Sequence, residues 1–177
     1  LKKNFSEIKL SKSFSGEGII INNDNAKGVI FKGINKDEKQ SIEFLTNNIT
    51  SGNIKAFNKN KVFIGTELSY NLNLKVGDKI NLMSSAFVST PLGSLPKQES
   101  FIIAGTFTTG FLEFDENIVF LEIKDALSIF DKEEKDQNLE IYLKDPLKSN
   151  LVKRNIEKIN PNYFIYTWSD LNKSFFS

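Results

Sequence analysis

The chain has 177 residues, with 23 basic and 22 acidic side chains, and is 40% hydrophobic. That length suits one domain, or one domain with an inserted lobe, and buries a core without disulfide staples. A formal charge of +1 leaves no electrostatic footprint for nucleic acid, and the absence of His and Cys excludes imidazole bases, Ser-His-Asp triads, Cys nucleophiles and most zinc sites.

In chain order, Gly18-Ile19-Ile20-Ile21 predicts a β-branched strand, stopped by Asn22-Asn23-Asp24-Asn25, a polar cluster suited to positive φ. Gly28-Val29-Ile30-Phe31 predicts a second strand ending near Gly33, so the two form a hairpin. Residues 42–49 suit a short helix. Val62-Phe63-Ile64 is a strand, followed by a short helix that Thr66 caps and that carries Leu68 and Leu72. Leu74-Lys75-Val76-Gly77-Asp78 is a turn, with Asp78 as turn former, into a strand over 79–83. Further strands are predicted over 101–107 and 118–121, and a helix over 124–130. Residues 139–143 alternate with period two, as a half-buried strand does. Asp145-Pro146 starts a helix with Asp at N-cap and Pro at N1, and Leu147, Leu151, Val152, Ile156 and Ile159 share its face. Asn160-Pro161 ends it. Phe164-Ile165-Tyr166 reads as a strand, and Ser169 caps a last helix carrying Leu171, Phe175 and Phe176. A β-rich middle followed by a β-α-β-α tail is an α+β pattern in two lobes.

No run approaches 18 uninterrupted apolar residues, so nothing in the sequence reads as a membrane span. The chain starts at Leu1 and its one Met, Met83, is internal, which reads as part of a longer product.

The segment from Leu82 to Pro96 contains no charged residue, although 25% of the chain is charged. Pro91 and Pro96 cannot donate to a ladder, so the middle of this segment reads as a long loop rather than a central strand. A turn over Pro91-Leu92-Gly93 is easier as type I than as type II, which needs a positive φ at Leu92. Leu92 and Leu95 either face a partner or fold back on the body, and the residues alone leave both readings open. Glu113, Asp115 and Glu116 form an acidic cluster. Paired carboxylates are what glycoside hydrolysis requires, and Asp115 with Asn117 are calcium-ligand types, but a solvated loop is the commoner meaning of such a run. Tyr166 and Trp168 are candidates for stacking on a base or sugar, against the commoner reading as core. The glycines never reach the spacing of a phosphate-binding loop, so no nucleotide or other cofactor is expected.

Lys61-Val-Phe-Ile-Gly-Thr-Glu-Leu-Ser-Tyr-Asn-Leu followed by Leu74-Lys-Val-Gly-Asp-Lys-Ile resembles an element of the MacB-like periplasmic core domains of bacterial ABC-transporter permeases. Gly28-Val-Ile-Phe-Lys-Gly33 is similar to the strand that precedes it there. Thr90-Pro91-Leu92-Gly93-Ser94-Leu95-Pro96-Lys97-Gln98 resembles the hook loop of the lipoprotein-releasing LolC/LolE group, and Trp168-Ser169-Asp170-Leu171-Asn172 resembles the segment leading to the next transmembrane helix.

The resemblance implies a mixed α/β lobe from residues 1–22 and 137–177, and an inserted β-rich lobe from 23–136 with a protruding hook at about 84–98. It implies more of the α/β lobe upstream, with residues 1–8 as the tail of a helix entering a strand and an exposed sheet edge or apolar patch nearby. It implies coupling rather than catalysis. The full permease would sit in the inner membrane with this part on the periplasmic side, and its partners would be a cytoplasmic ATPase subunit, a paralogous or identical permease subunit, lipoprotein cargo and the periplasmic carrier LolA. The hook, Thr90 to Pro96, would bind that carrier beside a pad of Asn81, Gln98 and Glu99. Ser94 stands where the family hook tends to be basic, Asn81 and Glu99 stand where Arg is expected, and Leu92 replaces Met in a volume-conserving way. The alternatives are a periplasmic domain of another MacB-like permease, for efflux or cell-division signalling, and a carboxylate enzyme.

Overall fold

The computed structural model describes residues 8–23 and 25–171, for Trp168 and Leu171 the backbone alone. The elements in chain order are β1 (Ile8–Asn22), β2 (Asn25–Ile34), α1 (Lys39–Asn48), β3 (Ile49–Gly52), β4 (Lys61–Gly65), α2 (Thr66–Asn71), β5 (Lys79–Thr90), β6 (Gly93–Phe107), α3 (Leu112–Asn117), β7 (Ile118–Glu122), α4 (Ile123–Ile129), β8 (Asn138–Leu143), α5 (Ser149–Ile159) and α6 (Trp168–Leu171). The contacts group Ser11–Glu140 as one unit, and Leu1–Leu10 with Ile141–Ser177 as another.

In the first unit the strand order is β2-β7-β4-β6-β5-β1, and β1 also pairs with β2. The ladder therefore closes on itself, so that these strands form a small barrel and leave each other no free edge where they meet. The β2–β7 and β4–β6 pairs are parallel, and the other pairs of the ring are antiparallel. β3 adds to β6.

Alternation along the strands sorts two cores. Ile20, Phe31, Val62, Ile64, Leu82, Phe101, Ile103, Val119 and Leu121 pack with Leu68 of α2 and with Ala126, Leu127 and Ile129 of α4. The neighbours that alternate with them, Phe63, Phe107, Ile118 and Phe120, pack on the other face with Leu45 of α1 and with Phe57. Burial on both faces is why β4 and β7 read as continuous apolar runs. The Phe107 and Phe120 rings meet edge to face at 5.2 Å, and Phe31 and Phe130 at 5.5 Å.

The predicted hairpin is β1–β2, and Asn23 turns it with φ +51°. Asp78 forms its turn, accepting the Lys75 N–H at 2.9 Å. Several expectations are corrected. β1 begins at Ile8, well before the predicted start at Gly18. Thr66 is not the cap of α2. Gly65 holds that position, because a Cβ there would collide with the Asp115 carbonyl oxygen. The Thr66 hydroxyl donates instead to the Phe107 carbonyl at 3.0 Å.

In the second unit Asp145 caps as predicted, accepting the Leu147 N–H at 3.1 Å, but a 3-10 turn, Pro146–Lys148, intervenes before α5. The tighter turn puts Leu147 out of phase with the helix and it is exposed; within α5 only Val152 and Ile156 of the predicted face are buried, while Leu151 and Ile159 are exposed. Phe164-Ile165-Tyr166 forms no strand, and Phe164 and Tyr166 are exposed. The cap of α6 is Thr167 rather than Ser169: its hydroxyl accepts the Asp170 N–H at 3.2 Å, and the Asp170 carboxylate accepts the Thr167 N–H at 2.9 Å. The predicted contributions of residues 1–7, Asp24, Phe175 and Phe176 lie outside the described residues.

Candidate functional site: the tip of the β5–β6 hairpin

The uncharged segment is not an irregular loop. β5 and β6 continue through it to a turn of Pro91 and Leu92, with Thr90 paired to Gly93. Thr90 stitches this turn: its hydroxyl accepts the Leu92 N–H at 3.2 Å and donates to the Gly93 carbonyl at 2.7 Å. Gly93 takes the positive φ, +120°, so Leu92 is spared it.

The hairpin has two ladders separated by an irregularity. Its base pairs Lys79–Met83 with residues 98–102, and its tip pairs Phe87 with Pro96, Val88 with Leu95 and Ser89 with Ser94; the register slips between Met83 and Phe87. Two side chains fasten the slip to the C-terminal end of α4. The Ser84 hydroxyl donates to the Ile129 carbonyl at 2.5 Å, and the Lys97 ammonium donates to the Ser128 carbonyl at 2.5 Å. Terminal helix carbonyls lack intrahelical partners and carry partial negative charge, so a hydroxyl and a cation suit them.

Beyond these anchors the tip is exposed on both faces. The register places Phe87, Pro96, Ser89 and Ser94 on one face and Val88, Leu95 and Thr90 on the other. Leu92, at the turn, is 95% exposed, and Phe87, Val88 and Leu95 are exposed as well. Thr90 to Pro96 therefore sit together at one tip. Phe87 and Val88 join them and were not singled out by the sequence reading; their signal is two apolar residues inside an uncharged run.

The pad residues separate. Asn81 and Gln98 lie on one face of the hairpin base, where the Asn81 side-chain Oδ1 accepts the Ser100 hydroxyl at 2.7 Å. Glu99 pairs with Leu82 and so turns to the opposite face, where it accepts the Ser128 hydroxyl at 3.4 Å and lies 4.0 Å from Lys97.

The acidic cluster is no solvated loop. It is α3, and Asp115 is 3% exposed. Its carboxylate accepts the Thr109 N–H at 2.8 Å, the Thr109 hydroxyl at 2.9 Å and the Gly110 N–H at 3.2 Å, which closes the turn before the helix. Asp125 of α4 accepts the Asn60 N–H at 2.7 Å, and burial pushes its carboxyl above the ordinary range against that bond and the charge of Lys59. Among the described residues no helix is long and apolar enough to cross a membrane.

The fold has a counterpart among solved structures. The extracellular domain of the noncanonic ABC-type transporter YknZ from Gram-positive bacteria superposes with a TM-score of 0.52 at 10% identity, covering 84% of this chain and 75% of that one. The chain shares the mixed α and β fold of that extracellular domain.

In sequence, it is 22% identical over 166 residues to the lipoprotein-releasing system transmembrane protein LolC of Neisseria meningitidis serogroup B, and 20% identical over 161 residues to the LolC of Xylella fastidiosa strain 9a5c. These matches cover 92% and 89% of this chain, and the chain spans about two fifths of the relatives' length, 40% and 39%. No protein-family model matches. The resemblance read from the sequence is thus borne out by relatives aligned over nearly the whole chain. They are transporter components rather than enzymes, in agreement with a non-catalytic domain.

Proposed function

We propose that this chain is the periplasmic domain of an inner-membrane permease that works with an ATPase subunit to release lipoproteins, and that the β5–β6 hairpin tip is where the soluble carrier, LolA, docks. The observation that carries the reading is the exposed, uncharged tip in a chain similar to LolC along almost all its length. The mechanism is apolar insertion. Fully burying a Leu, Val or Phe side chain is worth about 1.5–3 kcal/mol each, and Leu92 starts almost wholly solvated. Association costs several kcal/mol in lost freedom, and much of the interface ordering is already met here, because Pro91, Pro96 and the Thr90 bonds stiffen the turn. With Ser94, Asn81 and Glu99 in place of cations, and Glu99 turned away from Gln98, the contact rests on shape and apolar area. It should therefore depend little on salt.

Calorimetry tests this reading. The purified chain and the carrier should bind saturably with a negative heat-capacity change, the mark of apolar burial, and with little salt dependence. No binding at accessible concentrations, or binding abolished by moderate salt, would sink the proposal. ATP titrated against the same chain should give no heat, since the sequence has no phosphate-binding loop.

A further inference from the structure

Towards its tip the β5–β6 hairpin outruns its neighbours. β1 pairs with β5 only as far as Ser84, opposite Gly18, and β4 pairs with β6 only from Ile102, opposite Lys61. Among the described residues no strand pairs with the outer edge of β5 beyond Ser84, or with that of β6 before Ile102. Pro96 shows which backbone groups those edges present. A proline has no N–H, so a ladder tolerates it where its nitrogen faces away from the neighbouring strand. Pro96 pairs with Phe87, so this pair is of the non-hydrogen-bonded kind, in which both residues turn N–H and C=O outward. Alternation then makes Val88–Leu95 a bonded pair, Ser89–Ser94 an outward one and Thr90–Gly93 a bonded one, as suits the pair that closes a two-residue turn. The outer edge of β5 therefore presents the N–H and C=O of Phe87 and of Ser89, both exposed residues. Nearer the barrel the Ala86 N–H is already taken, by the Ser84 hydroxyl at 3.1 Å.

The two edges differ. On β6 the outward donors are interrupted at Pro96, and Lys97 follows; proline and lysine are residues that blunt an edge against further pairing. β5 over 85–90 has neither proline nor charge, and its Phe87 and Val88 favour extended structure. If the tip enters an apolar site, water leaves this edge. The N–H and C=O groups of Phe87 and Ser89 then need new partners, because a buried backbone group left unpaired costs more than a made bond returns. Donors and acceptors alternating at strand spacing are matched by another extended backbone and not by an acyl chain. A charge on that backbone's side chains would find none in residues 82–96 to offset its burial. We infer, on the reading that the carrier docks at this tip, that the β5 edge over 87–89 takes up an extended, uncharged segment of the carrier as an added strand. The edge then recognises backbone, and Leu92 at the turn supplies the apolar contact.

The test sets two prolines against each other within one pair. Ser89→Pro deletes the outward N–H of β5 and Ser94→Pro that of β6; both remove the same side chain, and neither deletes a ladder donor. In calorimetric titration with LolA, Ser89→Pro should lose at least about tenfold more affinity than Ser94→Pro, as expected when a buried carbonyl of the partner loses its donor. Ser89→Ala, which trims the side chain and keeps the N–H, should restore most of that loss. In the unsubstituted chain the Phe87 and Ser89 amides should exchange quickly when free and slow about tenfold or more in the complex, with a smaller change at Ser94. Equal losses from the two prolines, a loss from Ser89→Ala as large as that from Ser89→Pro, or Phe87 and Ser89 amides that stay fast in the complex would overturn the inference and leave the carrier reading standing. No binding of LolA by the unsubstituted chain would remove both. Sedimentation of the chain alone checks the other occupant: self-association that Ser89→Pro abolishes would assign the edge to a second copy of this chain and overturn the added carrier strand.

Discussion

Asp115 and Asp170 are surface-type residues put to structural use. Asp115 satisfies two backbone N–H groups and a hydroxyl in a nearly dry site. Asp115→Ala leaves those donors unpaired, which costs about 1–3 kcal/mol for each buried group that water cannot reach. Urea unfolding should show the midpoint falling with little change in slope; an unchanged midpoint would contradict the role. Asp170 is held down to about 2, chiefly by the Lys153 ammonium at 2.8 Å and then by the N–H and hydroxyl of Thr167. Its ordinary value is 3.8, so its folded value is depressed. The stability it contributes is therefore present above about pH 4 and is lost as the pH falls through about 2. A carboxyl NMR titration should place its midpoint near the lower figure, and Lys153→Ala should move it up towards the ordinary range. A wild-type midpoint already in that range would remove the contact.

At the scale of elements, the hairpin anchors give the next expectation. Ser84→Ala removes the hydroxyl from the Ile129 carbonyl and from the Ala86 N–H, and Lys97→Ala removes the cation from Ser128. Hydrogen exchange should then quicken in residues 85–96 and in the last turn of α4, while the barrel strands stay protected. Uniform loss of protection would mean that the anchors hold the whole core and not the hairpin. The same region shows what the sequence could convey. Strands buried on both faces, β4 and β7, and the Asn-rich turn of β1–β2 were legible because composition and burial agree there. The outer parts of β5 and β6 were not, because Pro91, Pro96 and serines are poor strand formers and the two prolines sit where no ladder donor is needed.

The start of β1 was hidden for a different reason. Ser11 and Ser13 occupy buried positions, where they bond Glu38 and Glu140, each at 2.8 Å, and so erase the apolar period. The 164–166 run failed in the opposite sense: its β propensity is local, and among the described residues it pairs with no strand. Of the candidate site, Thr90 to Pro96 were legible as an uncharged, proline-bounded stretch. Phe87, Val88 and the separation of Glu99 from Gln98 depend on register, which one sequence does not reveal.

At the scale of the whole molecule, the strands of the first unit close on themselves, and the β5–β6 hairpin continues beyond that ring to its exposed tip. The central claim is that Leu92 belongs to the partner's surface and not to this chain's core. The direct test measures carrier binding and thermal melting on Leu92→Asp together. A charge placed in an apolar cavity costs several kcal/mol, so binding should fall by about a hundredfold or more. Melting should hardly move, because an exposed substitution usually changes stability by no more than about 0.5 kcal/mol. A sharp drop in melting temperature with carrier binding retained would show that the leucine is part of the body, and would contradict the account.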